Sequence, residues 1–224
     1  MNEISFRLRI DYGKTGRLRY LSHLELVRAM ERVIRRSQIP FSLTHGFNVH
    51  MKHAFGPALP VGTAGEHELM DVWLTEYVPA AELLVRLRCA TLPDLPVNEV
   101  YYCAEDAPSL QVSRVLFRYE LIVEVPDGKG AASLEDTLTD ILNTGRLGII
   151  KKARDIEINL AGKIASGPVV KVFENNPAHL LVSMVLRADE QGSLRPDDLI
   201  NAALKAIPGA SIIQITRLEL LEES

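Results

Sequence analysis

The sequence predicts an α+β fold built of two ferredoxin-like βαββαβ halves, each an antiparallel sheet with its helices on one face. Three observations predict it. Strict apolar–polar alternation recurs along the chain, the period of half-buried strands. Between these stretches lie segments with an apolar stripe at helical spacing, several of them opened by a capping residue or a proline. The order of elements in residues 1–108 then restarts in residues 109–224.

In the first half, Ile4, Phe6, Leu8, Ile10 and Tyr12 alternate with Ser5, Arg7, Arg9 and Asp11, which reads as a strand. Lys14–Tyr20 reads as a basic loop. Ser22-His23-Leu24-Glu25 has the form of a capping box, in which the serine hydroxyl and the glutamate carboxylate satisfy each other's backbone N–H groups; Leu21 and Leu26 sit where a hydrophobic staple would. The helix that follows buries Leu26, Val27, Met30, Val33 and Ile34, shows Arg28, Arg32, Arg35 and Arg36 on another side, and ends before Pro40. A short strand and a long Gly/Pro loop, Gly46–Gly65, lead to a strand in which Met70, Val72 and Leu74 alternate with Asp71, Trp73 and Thr75. Pro79 suits the first turn of a helix with Leu83, Leu84 and Leu87 inward, and a last strand spans Val97–Cys103.

Glu105–Ser113, with Pro108, is the expected boundary. Beyond it Val115, Phe117, Tyr119, Leu121, Val123 and Val125 alternate strictly, Ser133 is placed to cap a helix carrying Leu134, Leu138, Ile141 and Leu142, and Gly145 is placed to end it. Ile156, Ile158 and Leu160 supply the expected second strand, and Leu180, Val182, Met184 and Leu186 the third. A helix from Pro196 buries Leu199, Ile200, Ala203, Leu204 and Ile207, and a final strand passes through Ile213 and Ile215.

Composition narrows the function classes. The chain has 224 residues, 47% of them hydrophobic and 24% charged, enough to bury a sizeable core. No apolar run approaches the roughly 20 residues that span a bilayer, and Met1–Arg9 is charged where a signal peptide would be apolar, so a soluble cytoplasmic protein is expected. Cys89 and Cys103 are too few for a disulfide framework, a four-cysteine zinc site or the three-cysteine ligation of a radical SAM cluster, and both read as small buried hydrophobes. The net charge of −4 conceals an uneven distribution: residues 1–56 hold ten Lys/Arg against four Asp/Glu, which points to an anionic partner for this end of the chain.

Three stretches carry a family likeness: Arg19-Tyr20-Leu21-Ser22-His23-Leu24-Glu25, His45-Gly46-Phe47-Asn48-Val49-His50-Met51-Lys52, and Phe55-Gly56-Pro57-Ala58-Leu59-Pro60-Val61-Gly62. Together they resemble the radical-SAM-linked family of uncharacterised bacterial domains of unknown function. The likeness continues through Glu68–Leu74 and Asp155–Leu160. The family has prolines at the places of Val49 and Met51, often Gln at that of His45, and an apolar residue at that of His53, so His23, Asn48, His50 and Lys52 are the residues to which a shared role would fall. Members are fused to, or encoded beside, a radical SAM protein, often near an RNA-processing ribonuclease. The resemblance therefore implies an accessory partner of a radical SAM protein, acting in RNA (tRNA or rRNA) modification or processing.

The residues themselves allow three chemistries. The first is binding without catalysis: the arginine stripe of the first helix could hold a phosphate backbone, and the sheet face expected to present Arg7, Arg9, Asp71, Trp73 and Thr75 could stack bases on Trp73. The RNP sequence of an RNA-recognition motif is absent. The alternative for Trp73 is burial beneath the Gly46–Gly65 loop or against the second half. The second is metal-independent ribonuclease chemistry, with His23 or His50 as general base and Lys52 with the arginines stabilising a phosphoryl centre. The third is a small metal-binding protein using His50 and His67, with His53, Glu66 and Glu68 nearby in sequence; no H-E-x-x-H or paired-cysteine signature accompanies them. The Gly/Pro loop carries neither nucleotide-binding glycine motif, and Cys89 reads as core rather than nucleophile. The binding role is the leading expectation, with RNA and a radical SAM protein as partners, no membrane, no cofactor, no metal and no assigned catalytic residue.

Overall fold

In the computed structural model, residues 5–104, 106–126, 130–151, 154–174, 176–189 and 192–223 are described. The chain divides into two compact units, the first ending at Arg114 and the second starting at Val115.

The first unit is assembled from β1 (Phe6–Lys14), a 3₁₀ turn (Gly16–Tyr20), α1 (His23–Arg36), β2 (His53–Phe55), β3 (Ala64–Leu74), α2 (Ala80–Ala90), β4 (Val97–Tyr102) and a short α3 (Leu110–Ser113). Its sheet runs β2–β3–β1–β4 with every neighbour antiparallel, the strand order of a ferredoxin-like half. The capping box forms as its spacing predicts: Ser22 Oγ accepts from Glu25 N–H at 3.4 Å and Glu25 Oε2 accepts from Ser22 N–H at 2.8 Å. Leu26, Met30, Val33 and Ile34 of α1 and Leu83 and Leu87 of α2 are buried in one core with Leu8, Ile10, Met70, Val72 and Leu74 of the sheet. β2 lies inside the Gly/Pro loop, where its Phe55 joins that core opposite Met70.

The other face of this sheet differs from the expectation of an open polar surface. Asp71 is fully buried, and Arg7 and Arg9 are 8% and 5% exposed. Arg9 stands directly opposite Asp71 in the ladder, and Arg7 is the next residue of β1 on that face. The Asp71 carboxylate accepts from Arg7 Nε at 2.9 Å and Nη2 at 2.6 Å, and from Arg9 Nε at 2.8 Å and Nη2 at 3.1 Å. Arg7 also donates to the carbonyls of Ala107 and Pro108, so the segment after β4 lies over it. Burial works to lower the Arg9 pKa, but its hydrogen bond to Asp71 and the charge of that carboxylate hold it above the ordinary guanidinium value. These arginines serve structure, and nucleic acid has no access to them.

The second unit repeats the plan with an insertion: β5 (Leu116–Glu124), α4 (Gly130–Thr144), β6 (Arg146–Lys151), β7 (Arg154–Asn159), β8 (Ile164–Phe173), β9 (Asn176–Asp189), β10 (Gly192–Ser193), α5 (Pro196–Leu204) and β11 (Ser211–Leu221). Its sheet runs β8–β9–β5–β11, antiparallel throughout, with β10 folded back on the end of β9. Phe117, Tyr119, Leu121 and Val123 of β5 and Leu180, Val182, Met184 and Leu186 of β9 are buried, as their alternation predicts. Two expectations are corrected here. The strand through Ile156 and Ile158 forms, but it pairs with β6 in a separate two-stranded ribbon, and the second strand of the main sheet is β8. Helix α4 already includes Gly130, so Ser133 lies inside it; Gly145 does end it, at φ 66° with its N–H donating to the Leu142 carbonyl at 3.1 Å.

Candidate nucleic-acid interface

Helix α1 sets the first element of the site. Its buried stripe fixes its rotation, and this leaves Arg28, Arg32, Arg35 and Arg36 exposed. None of the four is held in an ion pair among the described residues. Arg35 lies over the Phe41 ring at 5.3 Å, and Arg35 and Arg36 occupy the last turn, where the helix dipole favours positive charge.

A projecting turn follows. Phe41 bridges Leu74 and Leu43 bridges Met51, and the chain between them closes on itself: Thr44 N–H donates to the His50 carbonyl at 2.8 Å, and His50 N–H to Thr44 Oγ1 at 3.2 Å. His50 Nδ1 lies 3.0 Å from the Asn48 carbonyl, which can only accept, so that nitrogen carries a proton; Thr44 Oγ1 lies 3.2 Å from it. His45, Gly46, Phe47, Asn48, Val49 and His50 are all exposed, and Phe47 is 103% exposed. Sequence reasoning did not single out Phe47. Its only signal was an aromatic residue set between glycine and asparagine in a turn.

Lys52 leaves this turn for the sheet and sits over the Trp73 ring at 5.1 Å, while Arg7 lies 5.5 Å from the same ring. Trp73 is half-buried, its backbone N–H donating to the Lys52 carbonyl at 3.1 Å. The indole thus packs against the Gly/Pro-loop segment with two cations close to its ring, rather than standing open on a polar sheet face.

His23 occupies a third place, at the first residue of α1. It meets the Phe55 ring edge-on at 5.5 Å, and His53 meets that ring from 5.3 Å while its Nε2 lies 3.2 Å from Glu31 Oε1. Partial burial, then the charges of Lys14 and His53, hold the His23 pKa below the ordinary imidazole value, so its ring is neutral at physiological pH. Gly62 N–H donates to the Arg19 carbonyl at 2.9 Å. The first and third of the family-like stretches therefore meet around His23 and Phe55, whereas the second forms the projecting turn.

His67 pairs with Asp11 at 2.9 Å, and His50 makes its contacts inside its own turn. Among the described residues no group of three or more His, Cys, Asp or Glu is arranged to hold a metal ion. Cys89 is exposed and Cys103 half-buried, which corrects the expectation of two core cysteines; position 89 falls off the inward stripe of Leu83, Leu87 and Ala90. No helix among the described residues is long and apolar enough to cross a membrane.

The model of a family of uncharacterised proteins conserved in bacteria, DUF2344, matches residues 7–196, and the chain belongs to that family. No curated protein matches it. Among solved structures it is similar to a chain of an H/ACA ribonucleoprotein bound to a substrate RNA containing 2'-deoxyuridine (12% identity over 98% of this chain and 49% of that one, TM-score 0.44). It is similar to a chain of a Cbf5–Nop10–Gar1 complex to the same degree (13% identity, 98% and 50%, TM-score 0.44). An unknown protein from Galdieria sulphuraria is matched over 99% of this chain and 100% of that one at 11% identity and a TM-score of 0.28. The chain spans about half the length of the first two.

Proposed function

We propose that this DUF2344 protein is a binding protein that works with a radical SAM enzyme and presents RNA to it on the arginine face of α1. The observation that carries the RNA reading is the stripe itself. Four arginines stand exposed on one side of a helix whose rotation is fixed by buried Leu26, Met30, Val33 and Ile34; the charge of Arg28 acts on Glu25, and none of the four forms a close ion pair among the described residues. A phosphate backbone laid along such a stripe releases its condensed counterions, which gives affinity without sequence specificity. The radical SAM clause rests on the family-like stretches at residues 19–25, 45–52 and 55–62.

Two measurements test the two clauses separately. Co-expression with the neighbouring radical SAM protein should give a complex that survives purification, with or without added RNA; its absence in both conditions removes the partnership. Arg28→Glu with Arg32→Glu should weaken RNA binding and flatten its salt dependence while leaving the melting temperature unchanged. Equal affinity in the charge-reversed protein would leave those arginines to a protein contact.

A further inference from the structure

We infer that the projecting turn is a stacking post for an unpaired nucleobase, with Phe47 as the platform, so that the RNA taken by this protein is single-stranded where it crosses the turn. The inference rests on the RNA reading of α1 and narrows it to a substrate class.

Phe47 is 103% exposed, more open than any other large apolar residue among those described. Phenylalanine is among the residues most often found inside. The exposure does not come from a chain lacking structure, because the Thr44–His50 hydrogen bonds and the Leu43–Met51 bridge close the turn beneath it. The ring is therefore held out ready for a partner, and little ordering remains to be done when one binds.

The chemistry around the ring selects that partner. No Asp or Glu occurs between Glu31 and Glu66, while Arg32, Arg35, Arg36, Lys52 and three histidines do. Asn48 is exposed beside Phe47 with an amide that can both donate to and accept from a base edge. Arg35 over Phe41 brings the end of the arginine stripe to the root of the turn. Backbone phosphates on α1 and a base on Phe47 form the combination used on single strands, where every base offers a π-face to an aromatic side chain. Duplex RNA keeps its bases stacked inside and would gain only the arginine contacts.

The test compares a short fluorescein-labelled single-stranded RNA with a duplex of the same length by anisotropy titration. Phe47→Ala should weaken single-strand binding roughly 5- to 150-fold, the range that base–aromatic stacking spans on alanine substitution, with duplex affinity, salt dependence and melting temperature unchanged. Phe47→Trp should restore single-strand binding and Phe47→Leu should not. Unchanged single-strand affinity in Phe47→Ala, alongside a loss in Arg28→Glu/Arg32→Glu, would overturn the stacking post and leave the arginine reading standing. Full rescue by Phe47→Leu, or loss of the radical SAM complex in Phe47→Ala with RNA affinity intact, would assign the ring to an apolar pocket on a protein instead. No binding of either RNA by the wild-type protein at low salt would remove the arginine reading and this inference with it.

Discussion

Replacing Asp71 with alanine should be among the most damaging single changes in the first unit. Asp71 is fully buried and accepts four hydrogen bonds from two guanidinium groups that are themselves almost wholly buried. The cost of taking Arg7 and Arg9 out of water is met in the folded state by that one carboxylate and, for Arg7, by the carbonyls of Ala107 and Pro108. Without the carboxylate two like charges stand on one face of β1 with nothing between them. Removing one partner from a buried pair costs about 3–5 kcal/mol. At about 4 °C per kcal/mol for a unit of this size, that is a fall of roughly 12–20 °C in melting temperature. The assay is direct, because the single tryptophan of the chain, Trp73, lies 5.5 Å from Arg7 and its fluorescence reports on the packing beside the pair. Asp71→Asn, which keeps the shape and one acceptor, should fall between wild type and Asp71→Ala. The combined change Arg7→Met, Arg9→Met and Asp71→Leu should recover most of the loss, because it removes the charges together with their counter-ion. A melt of Asp71→Ala within about 2 °C of wild type, the range of an ordinary surface change, would refute the reasoning and imply that water reaches these arginines.

Three further outcomes follow from the structure. Cys89 is exposed, whereas burial holds the Cys103 thiol above its ordinary pKa, so alkylation at neutral pH should modify Cys89 first and Cys103 slowly; two equal rates would contradict the burial. His23 should titrate by NMR below 6.5, its ordinary value. Between its folded midpoint and 6.5 the unfolded chain binds a proton that the folded chain does not, so this histidine's contribution to stability is complete above 6.5 and is lost as pH falls through the folded midpoint; His23→Asn should flatten the acid side of the stability curve in that window. Arg28→Gln with Arg32→Gln should reduce the slope of log affinity against log salt by about 1.4, the value for two released counterions on a single strand, while Glu135→Gln with Asp140→Asn on α4 should leave the slope unchanged; equal effects of the two pairs would show that net charge alone governs binding.

What could be read from the sequence was what local chemistry decides. The capping box at Ser22 and Glu25 is a contact between residues three apart, and the rotation of α1 follows from four apolar side chains, so the exposed arginines were legible in the order of residues alone. The buried triad was not. Alternation places Arg7, Arg9 and Asp71 on the face opposite Leu8 and Ile10 but says nothing of what covers that face, and Ala107 and Pro108 are distant in sequence. The second unit misleads for a similar reason. Ile156 and Ile158 alternate as a strand should, yet they pair with Ile149 and Leu147 of β6, while β8 has its pattern interrupted at Gly167 and Pro168 and so conceals a strand of the main sheet. Phe47 escaped notice because exposure is a property of the folded surface, and phenylalanine in a sequence is read first as core.

The two units differ in where basic side chains reach their surfaces. Both build the same strand order from inward rows of the same kind, Leu8, Ile10, Met70 and Val72 in one, Phe117, Tyr119, Leu121 and Val182 in the other, and nothing in those rows distinguishes a function. The helix after the first strand does distinguish them. Where α1 shows Arg28, Arg32, Arg35 and Arg36, α4 shows Glu135, Asp136 and Asp140. An anion reaching the second position would meet three carboxylates. The sheet faces differ as well: the buried Arg7–Asp71–Arg9 cluster has as its counterpart on β5 the half-exposed Arg118–Glu219 pair at 2.7 Å and a 3.4 Å contact from Ser183 to Glu120. With the fold held constant, the outward side chains alone set the sign of each surface, and among the described residues only those of the first unit combine a basic helix with a turn that holds an aromatic ring in solvent.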